Sequence, residues 1–226
     1  MGNSKSKSKK IRETGAEMAD KISVVKTADK IPDNILELTP KQLLEQKFIY
    51  GINDIDFKVV VEKCVKEGVD VNLKRHDGCT ALMTAACNSR TAGTENTVQM
   101  LLDAGADTNL KRNDGCTALM MAALYSRTTS TENTVQMLLD AGADVNLKSN
   151  YYRTPLMEAA KYSAKNSSEN TVRILLTKRH NLLIRDRDGK TAWDLAKEHG
   201  TQGTLALIEH ALNQPDEPPP GYAESK

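Results

Sequence analysis

With 226 residues, 39% of them hydrophobic and 27% charged, the chain can bury a sizeable core and has the composition of a soluble globular protein with polar ends. No apolar run approaches the roughly 18 residues of a membrane span, the first thirty residues lack the apolar core of a secretory signal, and Cys64, Cys79, Cys87 and Cys116 form no CxxC pair. Those features exclude a spanning protein and a disulfide scaffold, and they predict reduced thiols, no metal site and no cofactor. The net charge of +1 conceals an asymmetry between a basic beginning and an acidic end.

The chain opens with MGNSKSKSKK. Gly2, with the small Ser6 at the fifth place from it, meets the acceptor pattern for N-myristoylation, which requires a glycine because the acyl group goes onto the amine freed by removal of Met1. One myristoyl chain holds a bilayer only weakly, with K on the order of 10⁴ M⁻¹, so a second signal is needed. Lys5, Lys7, Lys9, Lys10 and Arg12, with no acid before Glu13, supply it toward an anionic membrane surface. Ser4, Ser6 and Ser8 lie among these cations, where phosphates would weaken the attraction. The leader resembles that of the Src-type kinases, which implies a cytoplasmic protein held at the cytosolic face of a membrane by a lipid anchor. Residues 1–35 read as a disordered leader and tether, with a weak helix candidate in AEMADKISVVKTADK.

Residues 36–212 are dominated by self-similarity. DGCTALM begins at Asp77 and again at Asp114, and TENTVQMLLDAGAD begins at Thr94 and again at Thr131. The same 37-residue step reaches YYRTPLMEAA at Tyr151 and DGKTAWDLA at Asp188. A fixed period of this length marks stacked supersecondary units, none able to bury its apolar face alone. Within a unit, Leu82, Ala85 and Ala86 fall on one face of a first helix whose alanines permit close neighbours. Val98, Leu101 and Leu102 mark a bulkier second helix, which Thr94 (or Thr131, or Ser168) can cap, with Glu95, Glu132 and Glu169 in its first turn. Gly105 and Gly142 stand where that helix should stop, and ADTNLKRNDG and ADVNLKSN form a short extended turn to the next unit.

These residues resemble the ankyrin repeat: aspartate–glycine, Thr154-Pro155-Leu156, paired alanines and a closing Gly-Ala-Asp-x-Asn. The family histidine is replaced by Met83, Met120 and Met157, and four extra residues per unit lie between the helices, in NSRTAGTEN, YSRTTSTEN and YSAKNSSEN. In the fourth unit the closing Gly-Ala-Asp becomes Arg179-His180-Asn181. TPKQLLEQKFIYGI followed by VVVEKCVKEGVDVNL reads as a divergent first unit, and TAWDLAKEHGTQGTLALIEH as a terminal cap. The resemblance therefore implies an all-α solenoid of about five helix-loop-helix units joined by short extended turns and flanked by disordered tails.

It also implies a groove lined by turn tips and inner helices. The tips offer Lys74, Arg75 and His76, then Lys111, Arg112 and Asn113, then Lys148, Asn150, Tyr151, Tyr152 and Arg153. Thr84, Asn88, Met121, Tyr125, Glu158 and Tyr162 are expected along the inner helices. Basic residues beside tyrosine and methionine suit a protein partner. Nucleic acid is not expected, because no aromatic stacking series accompanies the cations. Nor is an enzyme: His76, His180, His199 and His210 share no ligand spacing, and no nucleophile motif or phosphate loop occurs.

Residues 213–226 form a proline-rich tail in which Pro219, Pro220 and Tyr222 fit the PPxY pattern taken up by WW domains. Prolines preset a polyproline II helix at low entropic cost for an aromatic groove. Such peptides resemble those that recruit HECT-class ubiquitin ligases. The chain as a whole reads as a non-enzymatic adaptor, monomeric and membrane-tethered, binding one protein in its groove and a WW-domain protein at its tail. The alternatives are a soluble interaction module with inert tails, of viral or bacterial host-directed type, and a nucleic-acid-associated factor using the basic tips.

Overall fold

The computed structural model describes residues 57–89, 94–178 and 181–213, all within one compact unit, Pro40–Lys226. Among these residues there are nine helices and no strand: α1 Phe57–Lys66, α2 Ala81–Cys87, α3 Thr94–Asp103, α4 Ala118–Tyr125, α5 Glu132–Asp140, α6 Pro155–Tyr162, α7 Glu169–Leu176, α8 Ala192–His199 and α9 Gln202–Asn213. The helices α2, α4, α6 and α8 pack in succession as an inner row, while α1, α3, α5, α7 and α9 form the outer row. The inner helix expected for the first unit, Thr39–Ile52, lies outside the described residues, as do the leader and the tail.

Inner helices start where a threonine recurs every 37 residues. Thr80, Thr117, Thr154 and Thr191 have extended backbones, and their hydroxyls accept from the backbone N–H groups of Met83, Met120, Met157 and Asp194. Each hydroxyl thus satisfies one orphan donor of the first turn. At α6, Pro155 adds a preset φ at a position that needs no N–H bond. In α8 the Asp194 carboxylate returns a bond to Thr191 N at 2.8 Å and completes a capping box.

Burial on the inner helices is wider than the single face read from Leu82, Ala85 and Ala86: Ala81 through Ala86 are all buried. A helix with neighbours before and after it in the row, and its own outer helix behind it, has little surface left for water. Alanine suits this position because its small side chain permits close packing and favours the helix. Met83, Met120 and Met157 are also inside, as thioether packing at the family's histidine position. The outer helices keep one apolar stripe, as in α5, which buries Thr134, Val135, Leu138 and Leu139. Thr131 and Ser168 cap α5 and α7 as expected, accepting from Thr134 N and Thr171 N. Thr94 is the first residue of α3, and its side chain lies outside the described set.

Where the longer connections between helices are described, they turn hydroxyls inward. Ser89, Ser126, Ser130, Ser163 and Ser167 are buried. Ser126 Oγ donates to Ala123 O and accepts from Ser168 N at 3.3 Å and from the Thr171 hydroxyl at 2.6 Å, tying one unit to the next. Ser89 Oγ likewise accepts from Thr131 N at 3.2 Å, and Ser163 Oγ from Thr201 N at 3.2 Å. Beside them Glu95, Glu132 and Glu169 each accept a hydroxyl proton from the cap of the following outer helix, Thr131, Ser168 and Thr201. The insertions are therefore a polar seam between units. Ser126→Ala would leave Ser168 N without its acceptor and return the buried Thr171 hydroxyl to the longer contact with Ser168 Oγ at 3.1 Å. We expect a loss of about 2 kcal/mol, read as a lower urea midpoint; an unchanged midpoint would show that water replaces the hydroxyl.

Candidate functional site

The turn tips come first in the geometry of the candidate surface, because their backbones are joined to one another. Asn113 N donates to Asp77 O at 3.0 Å, Asn150 N to Asp114 O at 2.9 Å and Arg187 N to Tyr151 O at 3.0 Å. Asparagine side chains repeat the link, with Asn113 Nδ2 to His76 O and Asn150 Nδ2 to Asn113 O, both 2.9 Å. A second seam runs through Asn72, Asn109 and Asn146, whose side-chain oxygens accept from Asp107 N, Asp144 N and Asn181 N. It persists at Asn181 although the fourth unit has lost its Gly-Ala-Asp close. Partial rigidity of the tips thus follows from backbone and amide bonds that recur at the repeat spacing.

The basic ladder is in large part spent inside the molecule. Lys74 Nζ donates to Lys111 O at 3.0 Å and Lys111 Nζ to Lys148 O at 2.9 Å. Arg75 pairs with Asp77 at 3.3 Å. Arg112 bonds the Asp114 carboxylate through Nε at 3.0 Å and through Nη2. That hydrogen-bonded pairing raises the guanidinium's pKa and holds the Asp114 carboxyl below the usual carboxylate range. Arg153 reaches two acids, Asp186 at 3.3 Å and Glu158 at 3.7 Å. Glu158 is buried, and desolvation pushes its carboxyl up while Arg153 and then Lys161 draw it back. Lys148 is exposed and has no such bond among the described residues.

Along the inner row, Met121, Tyr125 and Tyr162 are half-buried and Asn88 is exposed, whereas Thr84 is buried. Burial pushes the Tyr125 phenol up, with Cys87 adding to the effect, Arg112 opposing it and Tyr162 close enough to contribute. Cys116 is pushed up to about 12 and Cys87 to about 11, in both cases chiefly by desolvation. These thiols stay protonated at neutral pH, so they are not primed as nucleophiles. None of the four cysteines, all among the described residues, is joined in a disulfide. Among the described residues no group of three His, Cys, Asp or Glu side chains could hold a metal ion, and no helix is long and apolar enough to cross a membrane.

The structure thus brings Arg112, Cys116, Tyr125, Glu158 and Tyr162 into one neighbourhood and puts Lys148, Tyr151, Tyr152 and Arg153 on one tip. Gly2, Lys5, Lys7, Lys9, Lys10, Arg12, Pro219, Pro220 and Tyr222 lie outside the described residues. Sequence reasoning missed Asp186 and Arg187, although both follow the third tip by the repeat length and could have been found by aligning the fourth tip with it. It also missed that Tyr152 occupies the place held by Gly78, Gly115 and Gly189 in the other tips. Those glycines have φ of 79°, 80° and 76°, and Tyr152 has 59°. In the comparisons, residues 54–149 and 127–216 match the family model described as ankyrin repeats in three copies. Comparison with curated proteins gives no match.

Proposed function

This chain belongs to the ankyrin-repeat family, and from that premise we propose that it is a membrane-tethered adaptor. Ankyrin repeats are generally non-enzymatic protein–protein interaction modules, and the repeat domain is a module of that kind. The finer reading adds two handles to it. Acylation at Gly2, with Lys5, Lys7, Lys9, Lys10 and Arg12, holds the chain on the anionic cytosolic face of a membrane. Pro219, Pro220 and Tyr222 present a polyproline ligand to a WW-domain protein, a HECT-class ubiquitin ligase being the kind that would act on whatever the repeats hold.

The observation that carries the interaction reading is the half-buried row of Met121, Tyr125 and Tyr162 on adjacent inner helices, beside turn tips locked to one another by backbone bonds. Aromatic and thioether surface on a rigid support favours a protein contact because little freedom is lost on binding. The adaptor reading is tested by cell fractionation with a tagged WW-domain protein. Gly2→Ala should cut the membrane-bound share of both proteins by about tenfold or more, since one lost acyl chain removes most of the hydrophobic anchor. Tyr222→Ala should leave this chain on the membrane and release the WW-domain protein. If both variants partition as the parent does, the adaptor reading is wrong.

A further inference from the structure

The third turn tip differs from the others in three respects at once. Where Asp77-Gly78 and Asp114-Gly115 stand in the first two tips and Asp188-Gly189 in the fourth, this tip has Tyr151-Tyr152. Tyr152 is the one described non-glycine residue at positive φ, at 59°. A side chain in that conformation costs about 1 to 2 kcal/mol, which folding alone gives no reason to retain. Both tyrosines are 56% exposed, and beyond the Arg153 guanidinium over the Tyr151 ring at 5.9 Å no side-chain partner holds either ring among the described residues.

Charge changes with shape. Tyr151 replaces the aspartate that pairs with Arg75 and Arg112 in the first two tips, and Ser149 replaces the arginine, so the ion pair is lost from this tip as a whole. On the adjoining tip Arg187 replaces the asparagine found at positions 113 and 150, and its backbone bonds Tyr151 O. Lys148 and Arg187 are exposed and make no side-chain bond among the described residues. The two tips carry Lys148, Arg153, Arg185, Arg187 and Lys190 against Asp186 and Asp188. Arg153 is engaged with Asp186, and Arg185 with Gly189 O at 2.7 Å.

We propose that Tyr151, Tyr152, Lys148 and Arg187 form a docking point for an acidic segment of a partner protein, one carrying an apolar or aromatic residue. This names the partner chemistry of the interaction module and rests on that reading. The rings offer a flat apolar seat, and the two free cations sit where flanking carboxylates would be drawn in. A nucleic acid fits less well: one aromatic pair is no stacking series, and Asp77, Asp114 and Asp188 recur along the tips where a phosphate backbone would run.

The probe is a fluorescent random glutamate–tyrosine copolymer titrated onto the full chain, with a lysine–tyrosine copolymer and single-stranded oligothymidine alongside. The parent should bind the acidic copolymer and not the basic one. Tyr152→Gly and Arg187→Asn, which restore the residues of the other tips, should each weaken binding about tenfold, as expected of interface anchors. A purely structural tyrosine would instead give higher thermal stability in Tyr152→Gly with unchanged binding, and that result overturns the proposal. So does absence of binding by the parent, or oligothymidine binding more tightly than the copolymer. Binding that is lost in Tyr125→Ser but intact in Tyr152→Gly removes the tip assignment while leaving the interaction module in place.

Discussion

Replacing Gly115 by alanine should destabilise the repeat domain by about 3 to 4 kcal/mol, the combined cost of a left-handed side chain and an overpacked contact. At φ of 80° an added Cβ would stand 2.6 Å from Asn150 N, which is backbone and cannot swing away. Retreat of the neighbouring tip would stretch the bonds from Asn150 N to Asp114 O and from Asn150 Nδ2 to Asn113 O, both 2.9 Å. Gly142→Ala provides the control. Its φ is 85°, but nothing lies within 4 Å of the new methyl, so only the conformational cost of about 1 to 2 kcal/mol remains. Urea melts of the two variants at unchanged m-value separate the effects. Equal midpoints would mean that the tips give way, and that their seam contributes little to the stack.

That contrast bears on what could be read from the sequence. The repeat itself was legible because identical letters at one period must occupy equivalent places, and the caps at Thr131 and Ser168 followed from residue chemistry alone. Gly105 and Gly142 were expected at helix ends, and both have positive φ. Gly78 and Gly115 carry an additional demand, a close approach by the next tip, that no single unit reveals. The same limit explains the cations. Lys74 and Lys111 look free in the linear chain, and only stacking brings each ammonium to the carbonyl one repeat ahead. The serines of the insertions look like solvated loop residues for the same reason. Tyr152 is the opposite case, since the period already put it in a glycine's place. What concealed it was that a departure from the pattern carries no marker of whether it is tolerated strain or a built surface.

Arg153 is where breaking a single contact should cost most in the candidate surface. Arg153→Met keeps much of the side chain's length but takes from two acids, Glu158 and Asp186, the cation they share, leaving Glu158 only the weaker pull of Lys161. Losing one partner of a buried charge pair costs about 3 kcal/mol, because the remaining charge stays desolvated. The effect should depend on pH in a definite direction. In the parent, burial already raises the Glu158 carboxyl above its ordinary value against the pull of Arg153. Its ionised form is thus disfavoured in the folded state, a penalty that grows as pH rises from the unfolded carboxyl value to the folded one and is constant above it. Without Arg153 the carboxyl should climb further, so the variant's deficit is full near neutral pH and shrinks as acid protonates Glu158. Adding Glu158→Gln to Arg153→Met should recover about half of the loss at pH 7, since an amide can sit there uncharged. Urea midpoints at pH 7 and about pH 5 decide the matter: a deficit independent of pH, with no recovery in the double variant, would assign the role of Arg153 to Asp186 alone.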